Sequence, residues 1–327
     1  MIWNIPVLLL LAISWLQTSV VAVKKHDWKT CAQAGFCRRN RALADRASEH
    51  KAQWTSPYSI EGTPSFSQGV YQAHLANALF PDVSFSLEVR FQEDSTVRIL
   101  VDEVDGLRQR YNEAASWTLL KEPRVEANDQ AFKTDINARS TSISYGTSNR
   151  VQIQHSPILI TFYRDDQPHI VLNERGLFNM EHFRKKSIDA PKESDKPDEI
   201  LSETQPDAQT ILQDTKDDKF AKFLEKSEDG LWEETFGGRK DTKPKGPESL
   251  GLDVTFLGYE HVFGIPQHTG PLSLKTTRFV RSSRGWSILI IMYRGGDGAF
   301  TDPYRLWNSD VFEYETDSPM SIYGSIP

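Results

Sequence analysis

With 327 residues, the chain is long enough for one large or two moderate domains around a buried core. A net charge of −7 argues against nucleic acid and anionic membrane as the principal partner. The apolar share of 38% is below the globular norm and implies a solvent-facing portion, while 17 Phe, 10 Tyr and 8 Trp supply aromatic surface for a β-rich core.

At the amino terminus an apolar run, Ile5–Trp15, is followed by Gln17, Thr18 and Ser19, then by the small-residue pattern Val20-Val21-Ala22. Charged residues begin at Lys24. The run is too short to cross a bilayer comfortably, so residues 1–22 read as a cleaved secretory signal. No later run is long and apolar enough to span a membrane, and a soluble mature chain is expected. Cys31 and Cys37 are the two cysteines. Behind a secretory signal, a close pair reads as a structural disulfide. A metal site lacks further thiols and a CxxC redox pair lacks the spacing, so neither a metal nor a cofactor is expected. Arg38–Trp54 contains no Gly or Pro and little apolar periodicity, which predicts a short surface helix.

Farther along, VSFSLEVRF (Val83–Phe91) and TVRILVDEV (Thr96–Val104) alternate apolar and polar residues, the period of half-buried strands. Ile158–Arg164 and His169–Leu172 read as a hairpin turned at Asp165–Pro168. Short strands with no interleaved helical pattern predict an antiparallel β-sandwich. Lys185–Gly230 breaks that text with Asp, Glu, Lys, Ser and Pro, and is expected to be a disordered acidic excursion with a short helix at Asp217–Lys226. The implied division is 1–22 (signal), 23–184 (N-terminal segment and first part of the sandwich), 185–230 (acidic insertion) and 231–327 (second part of the sandwich).

Four runs carry a resemblance: LFNMEHFR (Leu177–Arg184), LWEETFGG (Leu231–Gly238), GPESLGLDVTFLGYEHVFGIPQH (Gly246–His268) and DPYRLWNSDVFEYETDSPMSIYGSIP (Asp302–Pro327). Together they resemble the N-terminal region of the glucosidase II α subunits, which are family 31 glycoside hydrolases. The resemblance implies a galactose-mutarotase-like sandwich, residence in the endoplasmic reticulum lumen, and a part in removing glucose from N-linked glycans. It also implies a partner, the non-catalytic β subunit of glucosidase II. Against that family, Phe279–Arg294 looks like an insertion, a retained intron being one origin; read alone, Trp286–Tyr293 is a buried strand.

Glycoside hydrolysis needs two carboxylates flanking the bond. None of the eight tryptophans is followed by the family's Trp-x-Asp-Met-Asn-Glu nucleophile pattern, and eight βα units need roughly 250 residues. The expectation is a truncated chain with no catalytic residue of its own, a domain that positions substrate; the alternative is a non-catalytic carbohydrate-binding or interaction module. The resemblance places a substrate-hydroxyl role on Asp310, within RLWNSDVFEYE, since a carboxylate accepts from two hydroxyls at once. Trp307 and Tyr304 offer faces for sugar packing, with core packing the stronger reading of both. Adjacent Glu260 and His261 would face opposite ways on a strand, which favours a loop-stabilising role. Gln267 stands where relatives carry Glu, and His268 reads as a plain loop histidine. Glu181 and His182 read as satisfying backbone groups at a sheet edge.

Overall fold

The structure, a computed structural model, describes residues 33–50, 53–108, 110, 119–121, 123–186, 230–247, 249–264, 272–274, 285–291 and 304–305. The expectations for residues 1–22, Cys31, the body of the acidic insertion, Gln267, His268, Trp307 and Asp310 lie outside the described residues.

Four strands form the first sheet, in the order β1 (Tyr58–Ser67), β2 (Val70–Asn77), β3 (Ser84–Phe91) and β4 (Val97–Glu103), all antiparallel. Alternation in β3 buries Phe85, Leu87, Val89 and Phe91 at 1% exposure or less and turns Ser84 and Ser86 outward. Between β1 and β2 the chain reverses at Gln68-Gly69, both with positive φ (49° and 69°), the handedness that suits a two-residue hairpin. A Cβ on Gly69 would sit 2.1 Å from the Glu126 carbonyl oxygen, so only glycine fits there.

The second sheet contains β5 (Lys133–Ile136), β6 (Ser140–Tyr145), β7 (Asn149–Gln154), β8 (Leu159–Arg164), β9 (Gln167–Leu172), β10 (Asn179–Met180), β13 (Leu250–Leu257), β14 (Gly285–Ile291) and β15 (Tyr304–Arg305). Its order is β15-β14-β13-β9-β8-β7-β6-β5, with β10 also beside β13. A separate hairpin, β11 (Glu233–Phe236) and β12 (Arg239–Thr242), projects with every residue of β12 exposed. Ile143, Val151, Ile153 and Ile160 from this sheet meet Tyr58, Tyr71, Leu75, Phe85, Leu87, Val89 and Phe91 from the first in one core, which makes the architecture a β-sandwich. Each such side chain contributes about 1.5–3 kcal/mol on burial. Phe66, Phe91, Phe132 and Tyr145 close one end of this core edge to face, with centroids 4.9–5.9 Å apart.

Several expectations need correction. The β8–β9 turn is the pair Asp165-Asp166 (φ 49° and 57°), and Pro168 lies inside β9 opposite Tyr163, where the register shifts. A residue with no N–H is tolerated at such an irregularity. The predicted surface helix begins earlier, as α1 (Gly35–His50), and is not a surface element: Cys37, Arg39, Asn40, Leu43 and Ala44 are all buried. Its packed side is partly polar, which is why an apolar stripe is missing from the sequence. The apolar run after Gly285 has a place in the sheet, for β14 pairs with β13 along its whole length, from Leu257 opposite Gly285 to Gly251 opposite Ile291. Finally, the sheet is not wholly antiparallel, since β15 runs parallel to β14.

Candidate functional site

Chemistry-bearing side chains gather along the stretch from Asn173 to Arg184, which crosses the sandwich between β9 and the acidic insertion. Asn173 has φ 64°, and its side chain satisfies the turn it makes. Its carboxamide oxygen accepts from the Phe178 amide at 2.7 Å, and its nitrogen donates to the Ile158 carbonyl at 2.8 Å and the Ser56 hydroxyl at 3.2 Å. Asp253, fully buried in β13, accepts from the amides of Arg175 at 2.7 Å and Leu177 at 3.0 Å. Burial raises the Asp253 carboxyl above its usual range, with those amides and the Arg175 charge opposing the rise. Tyr58 closes the same region: its hydroxyl donates to the Met180 carbonyl at 3.2 Å and accepts from the Met180 amide at 2.8 Å.

Glu181 and His182 do more than satisfy a sheet edge. The Glu181 carboxylate pairs with Arg39 of α1, 142 positions away, one bond measuring 3.1 Å, and accepts from the Ser249 hydroxyl at 2.6 Å. Burial pushes this carboxyl up, and the Arg39 charge and bonds together bring it below the carboxylate range. Arg110 extends the cluster: it pairs with Glu103 at 2.5 Å, donates to the Glu181 carbonyl, and lies 4.7 Å from the Phe183 ring centre. Glu103 in turn accepts from the Phe183 amide at 3.1 Å. His182 is buried edge to face against Phe80, and its Nδ1 has no hydrogen-bond partner among the described residues. Burial, with the nearby Arg184 and Arg110 charges, lowers its imidazole to about 4 despite Glu181. These carboxylates hold guanidinium groups and backbone amides; the arrangement locks α1, β4 and β13 together. The carboxylates of Glu181 and Asp253 are buried.

The open chemistry lies past the end of β13. Because β13 ends at Leu257, Glu260 and His261 occupy a loop and not a strand, so opposite strand faces are not what separates them. Both are exposed. Tyr259 is tied to β9 by a 2.8 Å bond between its hydroxyl and His169 Nδ1. His261 Nδ1 lies 3.2 Å from the Ser273 hydroxyl, and the Leu274 amide donates to the Val262 carbonyl at 2.8 Å. This agrees with a loop-stabilising role for His261. The loop presents Tyr259, Phe263 and Leu272 to solvent at 44%, 60% and 78% exposure. Sequence reasoning named the loop for its glycines and prolines but missed the exposed Tyr259–Phe263 surface, for which an aromatic beside a turn was the available signal.

Of the expected substrate residues, Tyr304 alone falls among the described positions, opposite Ile290 in β15. That position is at the end of the sheet where β13 begins, away from Tyr259. Cys37 is fully buried, and no cysteine is free among the described residues. No group of three or more His, Cys, Asp or Glu among the described residues has the geometry to hold a metal.

Comparison with known proteins gives three findings. The family model described as the glycosyl hydrolase 31 N-terminal galactose mutarotase-like domain matches residues 86–327. Glucosidase 2 subunit alpha of Schizosaccharomyces pombe is 35% identical over 318 residues, covering 93% of this chain and 29% of that protein. Two crystal structures superpose with a TM-score of 0.63 and 38% identity: a DNJ-bound glucosidase II alpha subunit, and an ER glucosidase II heterodimer of catalytic subunit with the binding domain of the regulatory subunit. They cover 93% and 92% of this chain, which spans 29% of each.

Proposed function

The chain belongs to glycosyl hydrolase family 31, whose N-terminal galactose mutarotase-like domain it carries, and from that membership we propose that it positions substrate for an endoplasmic-reticulum α-glucosidase trimming glucose from N-linked glycans. The observation that carries the reading is the family match across residues 86–327 on a sandwich of the same fold as the glucosidase II alpha subunit. Asp310 accepts hydrogen bonds from glucose hydroxyls in this reading, and Trp307 offers a face to the sugar ring. No tryptophan of the chain leads a Trp-x-Asp-Met-Asn-Glu run, so bond cleavage is assigned to none of its residues.

The cellular setting follows the same reading. Residues 1–22 direct the chain to the secretory pathway, and the oxidising lumen supports a Cys31–Cys37 disulfide. The heterodimeric relative supports a regulatory β subunit as partner.

The test has two arms. The purified 327-residue chain should give no turnover of an aryl α-glucoside above blank, and robust hydrolysis would defeat the assignment. Grafted in place of the matching region of the Schizosaccharomyces pombe enzyme, it should support activity. In that graft Asp310→Asn should lower kcat/KM roughly tenfold or more, the cost of a lost charge-assisted bond. Unchanged kinetics would remove Asp310 from the site.

A further inference from the structure

Residues 187–229 hold thirteen of the chain's 45 acidic and six of its 38 basic residues, so their balance of −7 equals that of the whole sequence and the remainder is neutral. This segment departs from the described structure at Lys186 and rejoins it at Gly230. Both junctions lie on one basic ridge. Lys185 and Lys186 are exposed at one end, Lys245 is exposed beside them, and Arg239 and Lys240 are exposed on the projecting hairpin.

The ridge is continuous. The Arg184 amide donates to the Lys245 carbonyl at 2.9 Å, and Lys245 Nζ reaches the Leu107 carbonyl at 3.4 Å. Arg108 lies 4.9 Å from the Phe183 ring centre on the same side. At the hairpin, the hydrogen bond from Lys240 lowers the Glu233 carboxyl, and the Lys186 charge adds to it, which places Lys186 near β11. Of the hairpin's three acids, Glu233 pairs with Lys240 at 2.5 Å and Glu234 with Lys243 at 3.3 Å, which leaves Asp241 as the exposed acid beside the ridge. The remainder of the chain, neutral overall, thus gathers the exposed Lys185, Lys186, Arg239 and Lys245 where the acidic segment is attached.

We propose that this ridge is the docking surface for the chain's own acidic segment, residues 187–229. Attachment at both junctions gives the segment an effective concentration on the order of mM at the ridge. A separate polyanion must match that to displace it. Exposed pairs contribute about 0–1 kcal/mol each, so the contact is a sum of many weak pairs with no indispensable one. It is also salt-sensitive, because the screening length falls from about 10 Å at 0.1 M to about 3 Å at 1 M. An acidic partner chain is the competing occupant, and it is distinguishable.

A spin label on Ala208→Cys in the full 327-residue chain provides the test, read as broadening of amide signals in Glu233–Thr242. At about 50 mM salt the label should broaden these signals, and the effect should fall roughly threefold or more at about 0.5 M. Charge reversal by R239E, K240E and K245E together should produce the same loss at low salt. Unchanged amide shifts in β6–β8 would verify that this variant keeps its fold; should it not fold, the salt series on the unreversed chain decides alone. Absence of broadening at low salt, or persistence after charge reversal, would overturn the proposal. So would broadening that passes between labelled and unlabelled molecules in a mixture, the mark of an intermolecular contact.

Discussion

Glu181 is a residue whose position in the sequence says little about its work. It lies in a run that matches a family, next to a histidine, and nothing in LFNMEHFR points to a residue 142 positions away. The structure spends it on Arg39, both side chains at 7% exposure or less. A buried pair of this kind is costly to break and cheap to replace whole, because one partner alone is an uncompensated charge. Glu181→Ala should therefore destabilise the chain by about 3–5 kcal/mol. Adding Arg39→Met should recover a large part of that loss, since the orphaned guanidinium goes with it. Urea unfolding of the two variants is the measurement; a double variant no more stable than the single one would mean that Glu181 acts through Ser249 and the backbone instead. Arg39 was hidden for the same reason: a buried arginine looks like a solvated one until its partner is known.

At the scale of elements, legibility followed periodicity. The β3 strand alternates cleanly, and the structure contains it, β4 and the β8–β9 hairpin within a residue or two of the expected bounds. The β1 strand does not: YSIEGTPSFS holds Gly62 and Pro64, and its register with β2 slips between Glu61 and Ser65, so the period is interrupted by the bulge that lets the strand bend. The helix α1 was legible as a helix and illegible as a buried one. Its first amide is held by Glu234 of β11 at 2.7 Å, and a Cβ on Gly35 would sit 2.8 Å from that carboxylate, a contact that only the folded chain creates. The β14 strand is the sharper case. Read alone it is a strand, read against relatives an insertion, and the structure pairs it with β13 over seven residues. Ile288→Pro acts on the backbone at the position opposite Val254 and removes a donor from a strand flanked on both sides. A loss of about 3 kcal/mol or more is expected in chemical unfolding. An unaltered midpoint would mean that β14 contributes nothing to the sheet.

For the whole molecule, the distribution of ionisable groups sets how stability responds to acid. The net charge of −7 was legible from composition, and its confinement to residues 187–229 from a simple walk along the chain. Which groups are buried was not, since a histidine that reads as satisfying a sheet edge proves to be packed against Phe80 with two arginine charges near it. His182 has its folded imidazole lowered to about 4, against an ordinary 6.5. The unfolded chain therefore takes up this proton first as pH falls, and stability drains away between pH 6.5 and about 4. Glu181, also lowered, continues the loss below the ordinary carboxylate value of 4.5. Asp253 works the other way: its carboxyl is raised, so the folded chain binds that proton more readily and acid relieves its burial, starting above 3.8. Replacing His182 with Phe keeps the ring against Phe80 and deletes the titration. Relative to His182→Phe, the unaltered chain should lose stability on going from pH 7 to pH 4, by on the order of 3 kcal/mol at most. The comparison is read from urea midpoints across that range. Parallel pH curves for the two proteins would show that the imidazole reaches its proton as easily folded as unfolded, and that the packing around Phe80 does not exclude water.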